Sequence, residues 1–387
     1  MKAFLIAGEP SGDRLGAALM AGLAELRPGI AFDGIGGAAM EAEGLISRFD
    51  MAELSVMGIA EVLPRYRQLT RRIRETAQAI IADRPDVVIT IDSPDFCLRV
   101  LRQVRAEAPA LNTVHYVAPS VWAWRPHRAQ RMVGLVDHVL TLLPFEPPYM
   151  EDAGLAATFV GHPVVSEPQP TASDVATFRA RHGLGAAPVL LVLPGSRAGE
   201  VGRLAPIFCE ALRPVLAETP DLRVITVAAA PVAARVGEAV RGWPGAPIVI
   251  DPRGRANVAA EAEKRTAFAA ADIALAASGT VSLELAAAGT PMVIAYDMAW
   301  ISRQIIAAML KIDTVTLVNL VSETRAVPEF LGAACKPAPI GAALTALLKD
   351  PTGQEAALER TMERLGRGGD PPGLRAARAV LGVVDAD

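Results

Sequence analysis

The chain has 387 residues, more than a single domain usually holds, so its length favours two domains. Its 38 Lys and Arg residues stand against 42 Asp and Glu, and the formal charge of −4 excludes the generally basic surface of a protein that coats nucleic acid. A hydrophobic content of 51% with 21% charged residues excludes wholesale disorder and predicts a sizeable buried core.

The cysteines and the hydropathy of the chain bear on its compartment. Cys97, Cys209 and Cys335 are far apart and odd in number, which excludes a disulfide framework and favours a reducing cytoplasm. The apolar run at residues 3–7 is too short for a signal peptide and is typical of a buried first strand. No apolar run approaches the roughly 18 residues of a membrane span, so we do not expect an integral membrane protein.

Short apolar runs alternate with longer helical patterns along the whole chain. The predicted strands are residues 2–7, 87–92, 112–117, 138–143, 158–160, 189–193, 223–227, 248–250, 272–276 and 291–295. The predicted helices include residues 14–26, 65–83, 204–217 and 281–288. Strands that are apolar throughout and separated by helices are typical of parallel sheets covered on both faces. We therefore predict an α/β protein with two doubly wound, Rossmann-like domains.

The domain limits are placed where the composition changes. The first domain is predicted at residues 1–165 and the second at 166–350, and residues 351–387 form a helical segment that can cross back to the first domain. Prolines cluster near residues 161–171, as they do in interdomain linkers, although a long surface loop would have the same composition.

The loop after the first strand is a candidate anion site, because ligands of open parallel sheets bind beyond the carboxyl ends of the strands. Ser11, Gly12 and Asp13 lie between this strand and a helix, whose free N–H groups attract anions. The glycine spacing fits neither a dinucleotide fingerprint nor a Walker loop. The alternative is a tight turn with Asp13 near the helix N-cap.

Two carboxylates, Asp92 and Asp95, follow the apolar strand that ends at Ile91. A carboxylate at a strand end is placed like a general base, and one base is enough to deprotonate a hydroxyl that attacks a sugar carbon. The alternative is that either aspartate caps the following helix.

Aromatic residues are concentrated in residues 115–125, at and after the end of the predicted strand 112–117. His115, Trp122 and Trp124 are the side chains that we expect to line a pocket for a sugar or an acyl chain. Ordinary packing between helices is the alternative.

The second half carries two motifs of the same strand–loop–helix kind. Gly195, Ser196 and Arg197 follow one predicted strand as a plausible diphosphate clamp. The loop 278–280 (Ser278, Gly279, Thr280) precedes a helix on which Glu284 is placed to accept hydrogen bonds from ribose hydroxyls, although a solvated helix residue is the alternative. No metal-ligand spacing occurs among the His and Cys residues, so no metal and no cofactor is expected.

The ordered set of motifs resembles the lipid-A-disaccharide synthase family, glycosyltransferase family 19 with a GT-B fold. The segments that carry the resemblance are AGEPSGD at 7–13, GIGG at 34–37, MGIAEVL at 57–63, DSPDF at 92–96, HYVAPSVWAW at 115–124, GHP at 161–163, LPGSR at 193–197, SGT at 278–280 and PEFL at 328–331. Cys97 departs from the usual Asn, and Val318 from the usual Pro.

The resemblance implies two domains that face a cleft and a metal-independent, inverting reaction. UDP-2,3-diacylglucosamine would donate its sugar to the 6-hydroxyl of 2,3-diacylglucosamine 1-phosphate (lipid X), giving UDP and a β-1,6 disaccharide 1-phosphate. Asp92 or Asp95 would be the base and Arg197 would balance the charge on departing UDP. Residues 195–197 and 278–280, with Glu284 and Asn319, would bind UDP. Residues 11–13 and the aromatic residues would meet the acceptor.

Both substrates are acylated lipids, so the resemblance also implies a peripheral enzyme on the cytoplasmic face of the inner membrane of a Gram-negative bacterium. An apolar wedge beside a cationic cluster is typical of a surface that seeks anionic lipid. The residues concerned are Met57, Ile59, Val62, Leu63, Arg65, Arg67, Arg71 and Arg72. A solvated helix face is the alternative. No nucleic acid is expected as a partner, and a homodimer is compatible with the family.

Two other functions fit part of the pattern. An enzyme like UDP-N-acetylglucosamine 2-epimerase would share the fold and the UDP site but would need neither an acyl pocket nor a membrane face. A non-catalytic membrane-surface protein that senses UDP-sugars would bind UDP without turnover.

Overall fold

The computed structural model describes residues 1–54, 59–123, 127–298 and 312–386, and it divides into two compact units. The first unit comprises Met1–Ser166 and Leu365–Asp387, and the second comprises Glu167–Arg364. Each contains one six-stranded sheet in which every recorded pairing is parallel. The prediction of two doubly wound α/β domains is confirmed.

The first sheet has the strand order β2-β1-β3-β4-β5-β6. Its strands are β1 (Lys2–Ala7), β2 (Ala31–Ile35), β3 (Val87–Ile91), β4 (Asn112–Tyr116), β5 (His138–Thr141) and β6 (Ala156–Phe159). Its helices are α1 (Pro10–Leu26), α2 (Ala38–Ala42), α3 (Ile59–Asp83), α4 (Pro94–Glu107), α5 (His127–Gln130) and α6 (Pro147–Glu151). Short 3-10 turns cover Met51–Glu53 and Pro163–Ser166.

Two apolar clusters cover the two faces of this sheet, because side chains alternate along each strand. On β1, Phe4 and Ile6 enter the cluster that contains α3 and α4 residues. Leu5, on the opposite face, joins the cluster that contains α1 residues such as Leu19. Strands buried on both faces read as continuous apolar runs, which explains why the sequence predicts them well.

The second sheet has the strand order β12-β11-β10-β7-β8-β9. Its strands are β7 (Val189–Leu193), β8 (Arg223–Val227), β9 (Ile248–Ile250), β10 (Ile273–Ala276), β11 (Met292–Tyr296) and β12 (Glu329–Leu331). Its helices are α7 (Ala172–Arg181), α8 (Ala198–Glu218), α9 (Ala233–Ala239), α10 (Asn257–Ala269), α11 (Val281–Ala287), α12 (Leu317–Ser322), α13 (Pro337–Lys349) and α14 (Thr352–Arg364). Ala230–Val232 and Gly332–Ala334 form 3-10 turns.

The helix α15 (Pro372–Val384) belongs to the first unit, where Ala376, Ala377 and Val380 join the same apolar cluster as Leu19 of α1. A Cβ on Gly22 of α1 would come within 2.8 Å of the Gly373 carbonyl oxygen. The two helices can therefore approach this closely only because glycine stands at the crossing point.

The second unit extends to Arg364, further than the predicted limit at residue 350. The helix α14 stays with it because the Gln354 side chain exchanges two hydrogen bonds with the backbone of Met292 on β11, at 2.8 and 2.9 Å. Only the segment from Leu365 onward returns to the first unit.

Within the described part of the chain, no helix has the length and the apolar content needed to cross a membrane.

Candidate functional site

A cavity of about 580 Å³ lies within the second unit, at the carboxyl ends of several strands. Ligands of parallel sheets bind at this edge. The cavity is lined by all the predicted nucleotide-binding residues except Asn319, namely Gly195, Ser196, Arg197, Ser278, Gly279, Thr280 and Glu284. The fold thus brings together two loops that are separated by about eighty residues of sequence.

The loop after β7 is shaped by Glu200, a residue that the sequence analysis did not single out. Its carboxylate accepts hydrogen bonds from the backbone N–H groups of Ser196 (3.0 Å) and Arg197 (3.2 Å). Gly195 has φ +114°, and a Cβ there would lie 2.6 Å from the Glu200 Cβ. Glu200 also accepts a hydrogen bond from the Arg197 guanidinium at 3.3 Å. The Arg197 side chain stays 70% exposed, so its remaining N–H groups are the donors that this loop offers to a ligand.

The loop before α11 forms the opposite part of the lining. Ser282 is buried, and its hydroxyl donates to the Gly279 carbonyl at 3.0 Å, which ties the loop to the first turn of the helix. Thr280 stands at the N-cap with its side chain outside any cap hydrogen bond, and Glu284 lies in the first turn. The polar groups of Thr280 and Glu284 therefore face the cavity rather than the protein core.

Apolar residues form another part of the cavity wall, including Val227, Ala228, Ile250 and Phe268. A concave site with an apolar wall and a few charged groups suits a nucleotide, since the base needs an apolar surface and the phosphates need donors.

Asn319 lies apart from this lining, in the buried start of α12. Its amide nitrogen donates to the carbonyl of Val327 (2.9 Å) and to the Glu329 carboxylate (3.0 Å). Its oxygen accepts from the Val327 N–H at 3.0 Å. The side chain thus holds two segments of the second unit together.

In the first unit, Asp92 and Ser93 have an unusual backbone. Their φ values are +51° and +43°, in the left-handed region that residues other than glycine rarely adopt. The Asp92 side chain is half-buried and accepts from the Ser93 N–H at 2.9 Å, whereas Asp95 is exposed in the first turn of α4. Strain of this kind concentrates at functional sites, which favours Asp92 over Asp95 as a reacting group.

Glu9 is a second carboxyl beside Asp92, and the sequence analysis assigned it no role. Partial burial and the neighbouring Asp92 carboxylate raise the pKa of Glu9. The loops after β1 and β3 also touch, because a Cβ on Gly8 would lie 2.5 Å from the Ser93 hydroxyl oxygen. The ends of these two strands therefore form one polar cluster of Glu9, Asp92 and Ser93.

Asp13 is buried and binds backbone. Its carboxylate accepts hydrogen bonds from the N–H groups of Gly37, Ala39 and Met40 at 2.8, 3.0 and 3.0 Å, and so stabilises the start of α2. Gly12 is buried and Ser11 is exposed. Of residues 11–13, Ser11 is the one whose side chain is accessible to a ligand.

The residues of the predicted aromatic pocket lie in different parts of the structure. His115 lies in β4, where it is buried with a ring nitrogen 2.7 Å from the Thr90 hydroxyl oxygen, and burial lowers its pKa to about 4. Trp122 lies in the following loop, 9% exposed, with its ring against Phe145 at a centroid distance of 5.2 Å. Trp124 is outside the described residues.

Glu146, which the sequence analysis did not single out, stabilises the loop that contains Trp122. Its carboxylate accepts from the Trp122 indole nitrogen at 3.2 Å and from the backbone N–H groups of Leu142 and Leu143 at 3.1 and 3.0 Å. Burial raises the pKa of Glu146 to about 7, although these hydrogen bonds oppose the shift.

Of the predicted membrane residues, Met57 and the side chains of Ile59, Val62, Leu63 and Arg65 lie outside the description. Arg67 and Arg71 are exposed on α3. Arg72 is mostly buried, forms two hydrogen bonds with Glu53 at 2.7 and 2.6 Å, and lies over the Phe49 ring. The Arg72 side chain is therefore engaged within the first unit.

The two departures from the family pattern are both core residues. Cys97 and Val318 are fully buried. Burial raises the pKa of the Cys97 thiol, so this side chain acts as a small apolar group in the core beneath α4.

Comparison with known proteins gives a family match along almost the whole chain. The family model described as lipid-A-disaccharide synthetase matches residues 3–369. The chain is 66% identical over 381 residues to the lipid-A-disaccharide synthase of Ruegeria pomeroyi, which covers 98% of this chain and 95% of that relative. It is 45% identical over 386 residues to the synthase of Rhodospirillum centenum, with coverage of 98% and 94%.

Solved structures share the fold at much lower identity. The UDP-GlcNAc 2-epimerase of Neisseria meningitidis bound to UDP-GlcNAc aligns with a TM-score of 0.63 at 12% identity, covering 100% of both chains. The Anabaena protein HepE in complex with UDP aligns with a TM-score of 0.60 at 13% identity, again covering 100% of both chains. These similarities concern the two-domain, GT-B-like fold.

Proposed function

Because the chain belongs to the lipid-A-disaccharide synthetase family, we propose that its second unit binds the UDP-linked donor sugar and its first unit binds the lipid acceptor. The chain is a hexosyltransferase of lipid A biosynthesis. It transfers 2,3-diacylglucosamine from UDP-2,3-diacylglucosamine to the 6-hydroxyl of lipid X.

One observation carries the donor assignment: the cavity of about 580 Å³ brings Arg197, at the start of α8, together with Thr280 and Glu284, at the start of α11. Arg197 binds the diphosphate, since a guanidinium donates parallel hydrogen bonds to phosphate oxygens. Thr280 adds a hydroxyl donor, and Glu284 accepts from the ribose hydroxyls. The apolar wall takes the base.

Arg197 also has a role in the chemical step. As the bond between the sugar C1 and the diphosphate oxygen breaks, negative charge grows on the departing UDP. A guanidinium fixed beside the diphosphate stabilises this charge more in the transition state than in the bound substrate, which is how electrostatic catalysis accelerates a reaction. The hydrogen bonds from Ser196 and Arg197 to Glu200 keep the loop in one conformation for this purpose.

Asp92 is the base in this proposal. The 6-hydroxyl of lipid X attacks C1 of the donor sugar from the face opposite UDP, its oxygen forms the new bond to C1, and its proton passes to the Asp92 carboxylate. The left-handed backbone at Asp92 supports this assignment, because a strained residue persists where function requires it.

We also place the enzyme at the cytoplasmic face of the inner membrane as a peripheral protein. Arg67, Arg71 and Arg74 are exposed on α3 and are spaced four and three residues apart, so that they share one face of the helix. A row of exposed guanidinium groups attracts the anionic head groups among which both lipid substrates reside.

The test is UDP release by the full chain in mild detergent with EDTA present. UDP-2,3-diacylglucosamine is supplied with and without lipid X, and UDP-N-acetylglucosamine serves as the unacylated control. Release that depends on both lipids is the expected result. Release or isomerisation with the unacylated sugar alone would instead indicate an epimerase, and UDP binding without any turnover would indicate a sensor.

A further inference from the structure

Three charged side chains lie together on one wall of the cavity in the second unit. The ammonium of Lys264 on α10 is 2.8 Å from a carboxylate oxygen of Glu284 on α11 and 2.8 Å from one of Glu261. The Lys264 side chain is 26% exposed and that of Glu284 is 28% exposed. All three residues line the cavity.

This arrangement keeps Lys264 charged. Burial by itself would lower the pKa of Lys264, but attraction to Glu284 and hydrogen bonds to Glu261 and Glu284 outweigh it, so that the pKa is raised. The ammonium is a triple donor, whereas a carboxylate accepts at about four lone-pair positions. The contact with Lys264 therefore fixes the Glu284 carboxylate and still leaves acceptor positions on it for a ligand.

We propose that Lys264 is a positioning residue for the donor nucleotide, which holds the Glu284 carboxylate in place to accept hydrogen bonds from the two ribose hydroxyls. The inference rests on the proposed donor site. Without Lys264, the Glu284 side chain would be free to rotate away from the position in which it can meet both ribose hydroxyls. With Lys264, the ammonium holds one carboxylate oxygen of Glu284 at 2.8 Å and so fixes the orientation of the group.

The proposal makes Lys264 matter for the ribose and not for the phosphates. A direct contact between Lys264 and the diphosphate would instead weaken every nucleoside diphosphate alike. Comparing UDP with 2′-deoxy-UDP distinguishes a role in ribose binding from a direct phosphate contact, because 2′-deoxy-UDP lacks one of the two hydroxyls that would donate hydrogen bonds to Glu284. A purely structural ion pair would leave the preference between these two ligands unchanged.

The experiment measures the affinity of the full chain for UDP and 2′-deoxy-UDP by isothermal titration calorimetry, in wild type, K264M, E284Q and the K264M/E284Q double variant. Wild type should prefer UDP about tenfold or more, as expected for a hydrogen bond to a charged group. K264M and E284Q should both lose most of this preference, and the double variant should resemble E284Q. K349M, which removes an exposed lysine paired with Glu218 on the same unit, is the matched control and should behave as wild type.

An equal loss of affinity for both ligands in K264M would overturn the proposal, and so would an unchanged preference for UDP. If K264M alone does not fold, as judged by circular dichroism, E284Q is compared with the double variant instead. The proposal requires these two to bind UDP equally, because Lys264 acts through Glu284. Weaker UDP binding by the double variant would contradict it. If wild type does not bind UDP, the donor site itself is refuted. If wild type and K264M both bind UDP and prefer it to 2′-deoxy-UDP to the same extent, the donor site stands and only the role of Lys264 is refuted.

Discussion

The backbone N–H of Asp92 donates to the carbonyl of Tyr116 at 2.9 Å. This bond extends the pairing of β3 with β4 by one residue, into the left-handed pair Asp92 and Ser93. The proposed base is thus held by the neighbouring strand at the point where its own strand ends. Its position depends on main-chain geometry, which a change of its side chain leaves intact.

Replacement of Asp92 by Asn should therefore remove the base without moving the backbone. We expect D92N to lower turnover about 10²- to 10⁴-fold, the usual contribution of a general base, with UDP affinity unchanged. D95N is the matched control, because Asp95 is exposed one turn away, and it should retain most of the activity. Turnover of both variants in the detergent assay is the measurement, and a larger loss in D95N than in D92N would reverse the assignment.

Arg197 should affect both binding and catalysis. R197M removes the cation that the β7–α8 loop offers to the diphosphate, so we expect UDP to bind about 10- to 100-fold more weakly and turnover to fall further. R197K should be intermediate, because lysine cannot donate two parallel hydrogen bonds. R213M removes an arginine from an exposed pair with Glu210 on the same helix and should change neither quantity. Equal effects of R197M and R213M would argue against a specific diphosphate contact.

The raised pKa of Glu146 predicts that the free energy of unfolding falls as the pH rises. Its pKa is about 7 in the folded protein and 4.5 in the unfolded reference, so between these values the folded state retains a proton that the unfolded state has lost. The stabilising contribution is complete below pH 4.5 and disappears as the pH rises through 7, with a slope of at most about 1.4 kcal/mol per pH unit.

E146Q should remove this slope. Urea unfolding followed by Trp fluorescence, from pH 5 to pH 8, should show the stability of wild type falling relative to that of E146Q as the pH rises. E151Q alters an exposed glutamate at the end of α6, the short helix that begins directly after Glu146, and should follow wild type. A constant difference between wild type and E146Q at every pH would mean that Glu146 does not titrate in this range.

Asp13 should contribute to the stability of the first unit. D13A leaves three backbone N–H groups at the start of α2 without their acceptor, and we expect a loss of about 1–3 kcal/mol in the free energy of unfolding. D50A removes an exposed carboxylate that accepts from a single backbone N–H group, that of Ala52, and should cost less. Denaturant titration of both variants tests this, and equal losses would show that burial of Asp13 adds nothing.

The exposed arginines of α3 should govern attachment to anionic lipid. We expect the double variant R67E/R71E to sediment poorly with vesicles that contain phosphatidylglycerol, and the wild-type interaction to weaken as salt is raised. R213E/R223E makes the same change of charge at exposed positions of the second unit and should still sediment. If both double variants detach equally, net charge rather than the α3 surface decides binding.

The sequence predicts the interior strands well and misses two edge strands. β2 (Ala31–Ile35) and β12 (Glu329–Leu331) each lie at one edge of their sheet. β2 contains Asp33 and Gly34, and β12 begins with a glutamate, so neither forms the continuous apolar run by which the other strands are recognised. An edge strand is buried on fewer sides, and its pattern is correspondingly weaker.

Some residues of the candidate site could be predicted from the sequence, and others could not. Arg197 and Thr280 could be predicted because they follow strands directly, and the carboxyl ends of parallel strands meet at one edge. Lys264 could not, because it acts from α10 on Glu284 of α11, a partner that only the folded chain brings to it. Glu200 has local partners, since it bonds the N–H groups of Ser196 and Arg197 four and three residues earlier, and its place in the first turn of α8 is the signal that could have found it. His115 shows a different error, since the predicted strand 112–117 already contains it, and a side chain buried in that strand cannot line the predicted pocket.

The return of α15 to the first unit sets an order of events during synthesis. The ribosome releases Met1–Ser166 first, then the entire second unit, and only afterwards the helix Pro372–Val384 that covers one face of the first sheet. Until that helix emerges, Leu19 and its neighbours on α1 remain uncovered, so the unit translated first is the one completed last. A nascent chain therefore carries an exposed apolar face on its N-terminal half until its last helix is made, and apolar surface exposed during folding is prone to aggregation.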